Sequence, residues 1–314
     1  MYSVNDPRAT LPTAAPSVPS AAQSAGQSAG QSAAASYPAD YVIFSDAPPA
    51  EQDSAGSRHW YARGQNFVIG YSECAGSMTS RRAGQPDEWM LLLLSSDTSA
   101  RVTADGEVAN VPGYSLAVIP PGDSQLEVTG RGQVVRIFSG NAADMCELAI
   151  NAGSYQQDHL NVAPWAPWPA AADGPRIRVY SLDVPRVEGR LGRIWRCSTL
   201  MVNLSWPYDG PRDETKLSPH SHPDFEQGSL VVAGEYEHHI RWPWTSDRRT
   251  WRQDEHKVCP SPSVAIIPPP SVHTSQGIGT GTNHLIDVFA PPRRDFSERP
   301  GWVLNADEYP MPRS

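Results

Sequence analysis

Pro219-His220-Ser221-His222-Pro223-Asp224-Phe225-Glu226-Gln227, followed later in the chain by Ile266-Ile267-Pro268-Pro269-Pro270-Ser271-Val272-His273, holds the residues from which fold and chemistry are read. Two histidines at i and i+2 on extended backbone project to one face. Glu226 shares the parity of His220 and His222, so period two assigns it to that face as well. A later strand that delivers His273 would close a set of three imidazoles and one carboxylate. Such a set suits a first-row divalent metal.

Working outward, the chain contains an internal repeat. Ser221-His-Pro-Asp-Phe-Glu matches Gly84-Gln-Pro-Asp-Glu-Trp. Ser263-Val-Ala-Ile-Ile-Pro-Pro-Pro-Ser-Val-His273 matches Ser115-Leu-Ala-Val-Ile-Pro-Pro-Gly-Asp-Ser-Gln125, and Leu285-Ile-Asp-Val-Phe matches Val135-Arg-Ile-Phe. The chain therefore reads as two β modules of related design. In the first module Ala83, Gln85 and Gln125 stand where the second has His220, His222 and His273, although Glu88 is kept near the carboxylate position. The first module is expected to be structural or to hold an interface.

Short runs rich in Val, Ile, Leu and aromatics, at 88–94, 114–119, 134–138, 193–204, 229–232, 236–242, 264–267 and 285–289, read as strands. Asp105-Gly and Asp209-Gly are hairpin signals. Only 142–152 reads as a helix. The 31 prolines and 24 glycines supply the turns of a sandwich or barrel. Residues 1–37 are mostly Ala, Ser, Gln, Gly and Pro with a four-residue Gln-Ser-Ala-Gly repeat, too apolar-poor to offset ordering entropy; they are expected to form a disordered tail.

The histidine pattern resembles the cupin superfamily. His220, His222, Glu226 and Gly234 stand in the order of its first motif, and Pro268-Pro269-Pro270 with His273 in that of its second. Phe289-Ala-Pro-Pro-Arg-Arg-Asp-Phe296 resembles the close of many small cupin domains. The Glu-to-Gly gap is one residue longer than usual; Gln227 fits the usual gap, whereas Glu226 supplies the better donor for a dication, and both stay open as the fourth ligand. The resemblance implies an all-β chain of two tandem double-stranded β-helix (jelly-roll) barrels: residues 38–162 without metal ligands, a linker over 163–175, and 176–314 with the metal site. It also implies one bound divalent transition metal, with Fe2+ favoured over Mn2+, Ni2+, Zn2+ and Cu2+, and a homodimer.

Three functions follow. The favoured one is a dioxygenase-type oxidoreductase acting on a small anionic or enolisable molecule. A non-redox isomerase or lyase is the second, and a non-catalytic small-molecule-binding bicupin the third. His238, His239 and Arg241 on the next strand are candidate supporting catalytic residues, orienting a ligand or moving a proton.

The second module is the longer, 44 positions from Pro223 to Ile267 against 33 from Pro86 to Ile119. The extra chain carries Trp242, Trp244, Arg248, Arg249, Trp251 and Arg252; it reads either as a substrate-recognising rim or as a long hairpin at a domain interface. Arg178, Arg193 and Arg196 are further candidate carboxylate anchors.

A net charge of −9 without a basic block argues against nucleic acid and anionic membranes. No stretch reaches the ~20 apolar residues of a membrane span. No charged cluster and apolar core open the chain, and Cys74, Cys146, Cys197 and Cys259 are widely spaced. A cytoplasmic protein with reduced thiols is expected.

Overall fold

The computed structural model describes residues 37–313; the expected tail, apart from Tyr37, lies outside the described residues. Nineteen strands account for nearly all the regular structure. They are β1 (Asp40–Ile43), β2 (Glu51–Gln52), β3 (Arg58–Arg63), β4 (Phe67–Gln85), β5 (Trp89–Leu93), β6 (Ser99–Ala104), β7 (Glu107–Val111), β8 (Ser115–Ile119), β9 (Gly122–Ser139) and β10 (Arg178–Ser181). The second half holds β11 (Arg193–Arg196), β12 (Met201–Leu204), β13 (Tyr208–Asp209), β14 (Gln227–Ala233), β15 (Glu235–Arg241), β16 (Glu255–Pro260), β17 (Ser263–Ile267), β18 (Val272–Gly277) and β19 (Thr282–Phe289). The expected helix shrinks to α1 (Ala143–Glu147) with a 3-10 turn at Ala152–Tyr155. The expected strand over 193–204 is instead two strands folded back at Cys197–Leu200, with Cys197 N–H donating to Leu200 O.

In the first module the long strands β4 and β9 pair along nearly their whole length. The first half of β9 also pairs with β6 and the second half with β5, so one antiparallel ribbon runs through both walls of the barrel. Glycines with positive φ mark the crossing: Gly76 is opposite Gly130, and Gly132 follows. A side chain there would be strained by the left-handed backbone. The β6–β7 hairpin turns at Asp105-Gly106, both with positive φ, as its Asp-Gly signal predicts.

In the second module the corresponding walls are separate. One sheet runs β1-β17-β14-β19-β12-β11 and the other β16-β15-β18. The 11 extra residues belong to the connection of the β15–β16 hairpin.

The modules exchange strands. β1, from the start of the first, pairs with β17 of the second; β10, from the start of the second, pairs with β8 of the first. β8 and β17 are equivalent in the repeat, so the exchange is reciprocal, and a boundary at residue 176 assigns β1 and β10 to the wrong sheets. A one-residue slip would turn every side chain over. The register here places Met90, Leu92, Leu116, Val118, Val135 and Ile137 of one sheet in a common core with Leu230, Val232, Val264, Ile266, Ile286 and Val288 of the other. All are essentially inaccessible to solvent. Strands buried on both faces explain the near-continuous apolar runs of β5, β8 and β17. All four cysteines are free and buried. No helix among the described residues is long and apolar enough to cross a membrane.

Candidate metal centre

His220 lies just ahead of β14 and pairs by its backbone with His273 of β18: His220 N–H donates to His273 O at 3.0 Å and the return bond is 2.8 Å. This antiparallel bridge sets the two imidazoles side by side, ring centroids 4.4 Å apart. His222 comes back to the same face two residues on, 5.0 Å from each of the other rings. One ligand nitrogen from each ring lies within 4.8 Å of the other two. Donors on one ion with bonds of about 2.1 Å stand roughly 3–4 Å apart, so small ring rotations close this set.

Two of the rings, His220 and His273, are held ready, whereas His222 donates from Nε2 to the Gln227 carbonyl. The Nδ1 atoms of His220 and His273 face the carbonyls of Ser218 and Ser271, two residues upstream in each case, at 3.0 and 3.1 Å. A carbonyl accepts only, so both Nδ1 atoms carry the proton and both Nε2 atoms keep the lone pair. Burial, with the Ser271 bond opposing and the positive charge of Arg293 assisting, depresses His273 to about 4. Burial, then Arg293 and the two other histidines, holds His222 well below the ordinary range. Both rings stay neutral near pH 7, as metal ligation requires.

Of the two residues left open as a fourth donor, Gln227 is the one that lies beside the rings. Its Oε1 lies 2.9 Å from His222 Nε2 and 3.4 Å from His273 Nε2. Its Nε2 donates to Ser229 Oγ at 2.9 Å and to Asp287 Oδ1 at 3.0 Å, and Ser229 also bonds Asp287. With both amide hydrogens spent on one side, the carbonyl is fixed toward the histidines. Ser229 and Asp287 were absent from the sequence expectation, although Ser229 repeats the parity of Gln227.

Glu226 is elsewhere. The chain bends at Pro223-Asp224, which breaks the period-two count from His222, and Glu226 points away from the cluster. It is buried, accepting from Gln65 N–H at 2.6 Å and Tyr155 O–H at 2.9 Å, with His159 Nδ1 at 3.6 Å. All three partners belong to the first module's share of the chain. Glu88 does the reciprocal thing. It accepts from Ser198 N–H at 2.9 Å, Ser198 Oγ–H at 2.6 Å and Tyr309 O–H at 2.7 Å. Strand register also makes the two glutamates equivalent, since Gln227 faces Ile267 as Trp89 faces Ile119. The carboxylate expected on the metal thus joins the modules.

The same register shows why the first barrel lacks the site. Trp89 stands at the place of Gln227 and Arg136 at that of Asp287; both are buried among the side chains filling that barrel. Gln85 Oε1 accepts from Arg82, and Gln125 donates to Glu127. Among the described residues, no group of three potential metal donors occurs in the first module.

Of the three candidate supporting residues, only His238 faces inward. Alternation on β15 sends His239 and Arg241 outward, where Arg241 pairs with Asp254 at 3.0 Å. His238 is fully buried, its Nδ1 2.8 Å from Ser275 Oγ and its Nε2 without a partner. Burial, then the neighbouring His273 and His239, depresses it to about 3. The other proposed anchors are occupied. Arg178 holds Asp173 and Glu308, Arg193 holds Tyr114 O–H and Leu182 O, and Arg196 reaches Tyr309 O. The cation beside the histidines is Arg293. It lies over Phe296, Phe289 and Phe225 at 3.7, 4.9 and 5.5 Å, with its fork on Asp295. Phe225 stacks on His222 at 4.4 Å and Phe289 closes edge-on at 5.9 Å. In the β15–β16 connection, Trp244 and Trp251 stack on each other at 4.8 Å.

The fold is that of a bicupin. Solved structures that share it include the oxalate decarboxylase of Lactobacillus farciminis in its formate complex, at 13% identity and TM-score 0.52, covering 81% of this chain and 86% of that one. A second oxalate decarboxylase matches at 13% and 0.53, covering 85% and 82%. AerE from Microcystis aeruginosa matches at 9% and 0.50, covering 75% and 93%. No protein-family model matches the sequence, and no curated protein does so either.

Proposed function

We propose that the chain is a metal-dependent enzyme that cleaves a carbon–carbon bond in a small carboxylate, with the divalent ion held by His220, His222, His273 and the carbonyl of Gln227. The observation that carries this reading is the gathering of His220, His222 and His273, two of them beside an amide oxygen whose orientation Asp287 fixes. Neutral nitrogen and oxygen donors of this kind suit Mn2+, Fe2+, Ni2+, Zn2+ or Cu2+.

When bound, the ion supplies a Lewis acid with open positions for a substrate carboxylate and its neighbouring oxygen. The residues of the chain do the rest. None of the four donors is anionic, so the charge of a dication is left unneutralised by its ligands and only partly offset by Asp287 behind Gln227, while Arg293 nearby is paired with Asp295. An anionic substrate is therefore drawn in. Phe225 and Phe289 cover the His222 side of the site and keep water from it. We assign His238, neutral and with Nε2 unpartnered inside the barrel, to hydrogen-bond and orient the bound substrate.

Carbon–carbon cleavage is common to the dioxygenase expectation and to decarboxylation, the activity named for the first fold neighbours. Oxygen dependence separates the two. Purified protein is analysed for metal, then screened with small keto, enol, phenolic and dicarboxylic acids, reading CO2 release and oxygen uptake with and without air. Turnover that His222→Ala abolishes together with the metal is expected. Activity that persists after complete metal removal would overturn the proposal, as would a pure protein that retains no ion and turns nothing over when metal is added.

A further inference from the structure

A second cluster of donors lies on the outer face of the strand that carries His238. Along β15, Glu237, His239 and Arg241 alternate with the inward-facing His238 and Ile240. The neighbouring strand β16 runs antiparallel, and its register sets His256 directly opposite His239. Opposed residues of an antiparallel pair hold their Cβ atoms about 5 Å apart, which brings two imidazoles together on one surface. The Nδ1 atoms are 2.7 Å apart and the ring centroids 5.0 Å. There is room for one proton between nitrogens at that separation, so at least one of the two presents a lone pair to the other. Rotation of the His239 ring, which presents one nitrogen to His256 and the other to Glu237, would turn a single nitrogen toward both and give an ion two imidazole donors at once.

Glu237 stands two residues back on the same face, its carboxylate 3.9 Å from His239 Nε2. From the third strand, β18, Gln276 is opposite Glu237 and brings its Oε1 to 3.3 Å from the same nitrogen. One donor atom from each of Glu237, His239 and His256 lies within 4.8 Å of the other two. The three are on adjacent strands of one sheet, so their backbones are already ordered and only side-chain rotation separates them from a common ion. His239 and Glu237 are about a quarter exposed, which leaves the surface open to an ion and its waters.

We infer that Glu237, His239 and His256 form a second transition-metal site, on the outside of the C-terminal barrel and independent of the interior histidines. Two imidazoles and one carboxylate suit Zn2+, Cu2+ or Ni2+. Mg2+ and Ca2+, which want oxygen shells, do not fit. Three protein donors leave further coordination positions for water or for a donor from another molecule.

The test is stoichiometry on the full chain. Metal-stripped protein is dialysed against Zn2+ and the bound metal counted per chain, alongside His239→Gln/His256→Gln and His222→Ala. The wild type is expected to bind two ions and each variant one. Co2+ substitution supplies a spectroscopic reading: the double variant loses one set of visible bands and keeps the other. Circular dichroism and melting of the Gln variant show that the outward-facing substitutions leave the sheet folded. If the double variant binds as many ions as the wild type, the outer site is refuted. If the wild type binds a single ion that only His222→Ala removes, the outer site again fails while the interior one stands. If the single ion is removed only by the double variant, the interior reading fails and the outer site stands.

Discussion

Glu226→Gln separates the two roles that a carboxylate beside a histidine cluster can have. In the structure this carboxylate accepts from Gln65 N–H at 2.6 Å and Tyr155 O–H at 2.9 Å inside a contact 2% exposed. Hydrogen bonds to an ionised group contribute about 1.5–3 kcal/mol each. An amide keeps one acceptor oxygen but turns an N–H2 toward the other donor, so one bond is lost and a buried donor–donor contact replaces it. The expected cost is about 2–4 kcal/mol, which for a chain of this size lowers the melting temperature by about 5–10 °C. Glu88→Gln, which strips charge from Ser198 N–H, Ser198 O–H and Tyr309 O–H, should cost at least as much. Neither variant should change metal content, which His222→Ala should abolish. Thermal denaturation and elemental analysis on the same preparations decide the matter. If Glu226→Gln loses its metal and melts like the wild type, the carboxylate is a ligand and the geometric argument is wrong.

Three further outcomes follow from the same contacts. Gln227→Ala removes the amide oxygen and should weaken metal affinity by at least about tenfold, read by competition with a chelating dye; unchanged affinity would remove Gln227 from the site. His238 is depressed to about 3 in the folded protein, so between that value and its unfolded pKa of about 6.5 the unfolded chain binds the extra proton. Stability of metal-stripped protein should therefore fall as pH drops below about 6.5, by about 1.4 kcal/mol per pH unit from this residue, and His238→Gln should flatten the urea midpoint between pH 7 and 5 by that amount. Phe44, fully buried after β1 and stacked on Tyr71 at 5.4 Å, anchors the exchanged segment in the shared core. Phe44→Ala should cost about 3–5 kcal/mol by urea denaturation, and a cost below about 1 kcal/mol would mean that the exchange contributes little.

The histidines were legible in the sequence because their positions follow from local rules. An i, i+2 pair on extended chain shares a face, and a Pro-rich turn ahead of His273 marks the entry to another strand. Which of Glu226 and Gln227 lies beside them was not decidable in that way. Parity holds only while the backbone stays extended, and the bend at Pro223-Asp224 resets it between His222 and β14. The loop has one residue more than its counterpart before Trp89, which the aligned sequences show only once strand register is known. His238 was separable from His239 and Arg241 only by knowing which face of β15 is covered. Strand exchange left no local signal at all. Asp40–Ile43 and Arg178–Ser181 are four residues each, and the choice of partner sheet is made by tertiary contacts. The strand expected over 193–204 failed because the fold-back at Ser198 carries neither Gly nor Pro.

The two glutamates explain one another. Were Glu226 present to hold a metal, its equivalent Glu88 would have no purpose in a module where Trp89 and Arg136 fill the barrel and three metal donors are nowhere gathered among the described residues. Both glutamates do the same work: each enters a strand of the shared core, and each receives a backbone N–H from a turn of the other module and a tyrosine hydroxyl. A symmetric device serves a symmetric requirement, the joining of two barrels. The asymmetry, one barrel that gathers three histidines and one filled by Trp89 and Arg136, is met a single residue further along, where Gln227 turns inward in one module and Trp89 in the other. The alternation of a strand separates the two tasks: one position faces the neighbouring module and the next faces the barrel, so a change at 227 or 89 decides chemistry without loosening the joint.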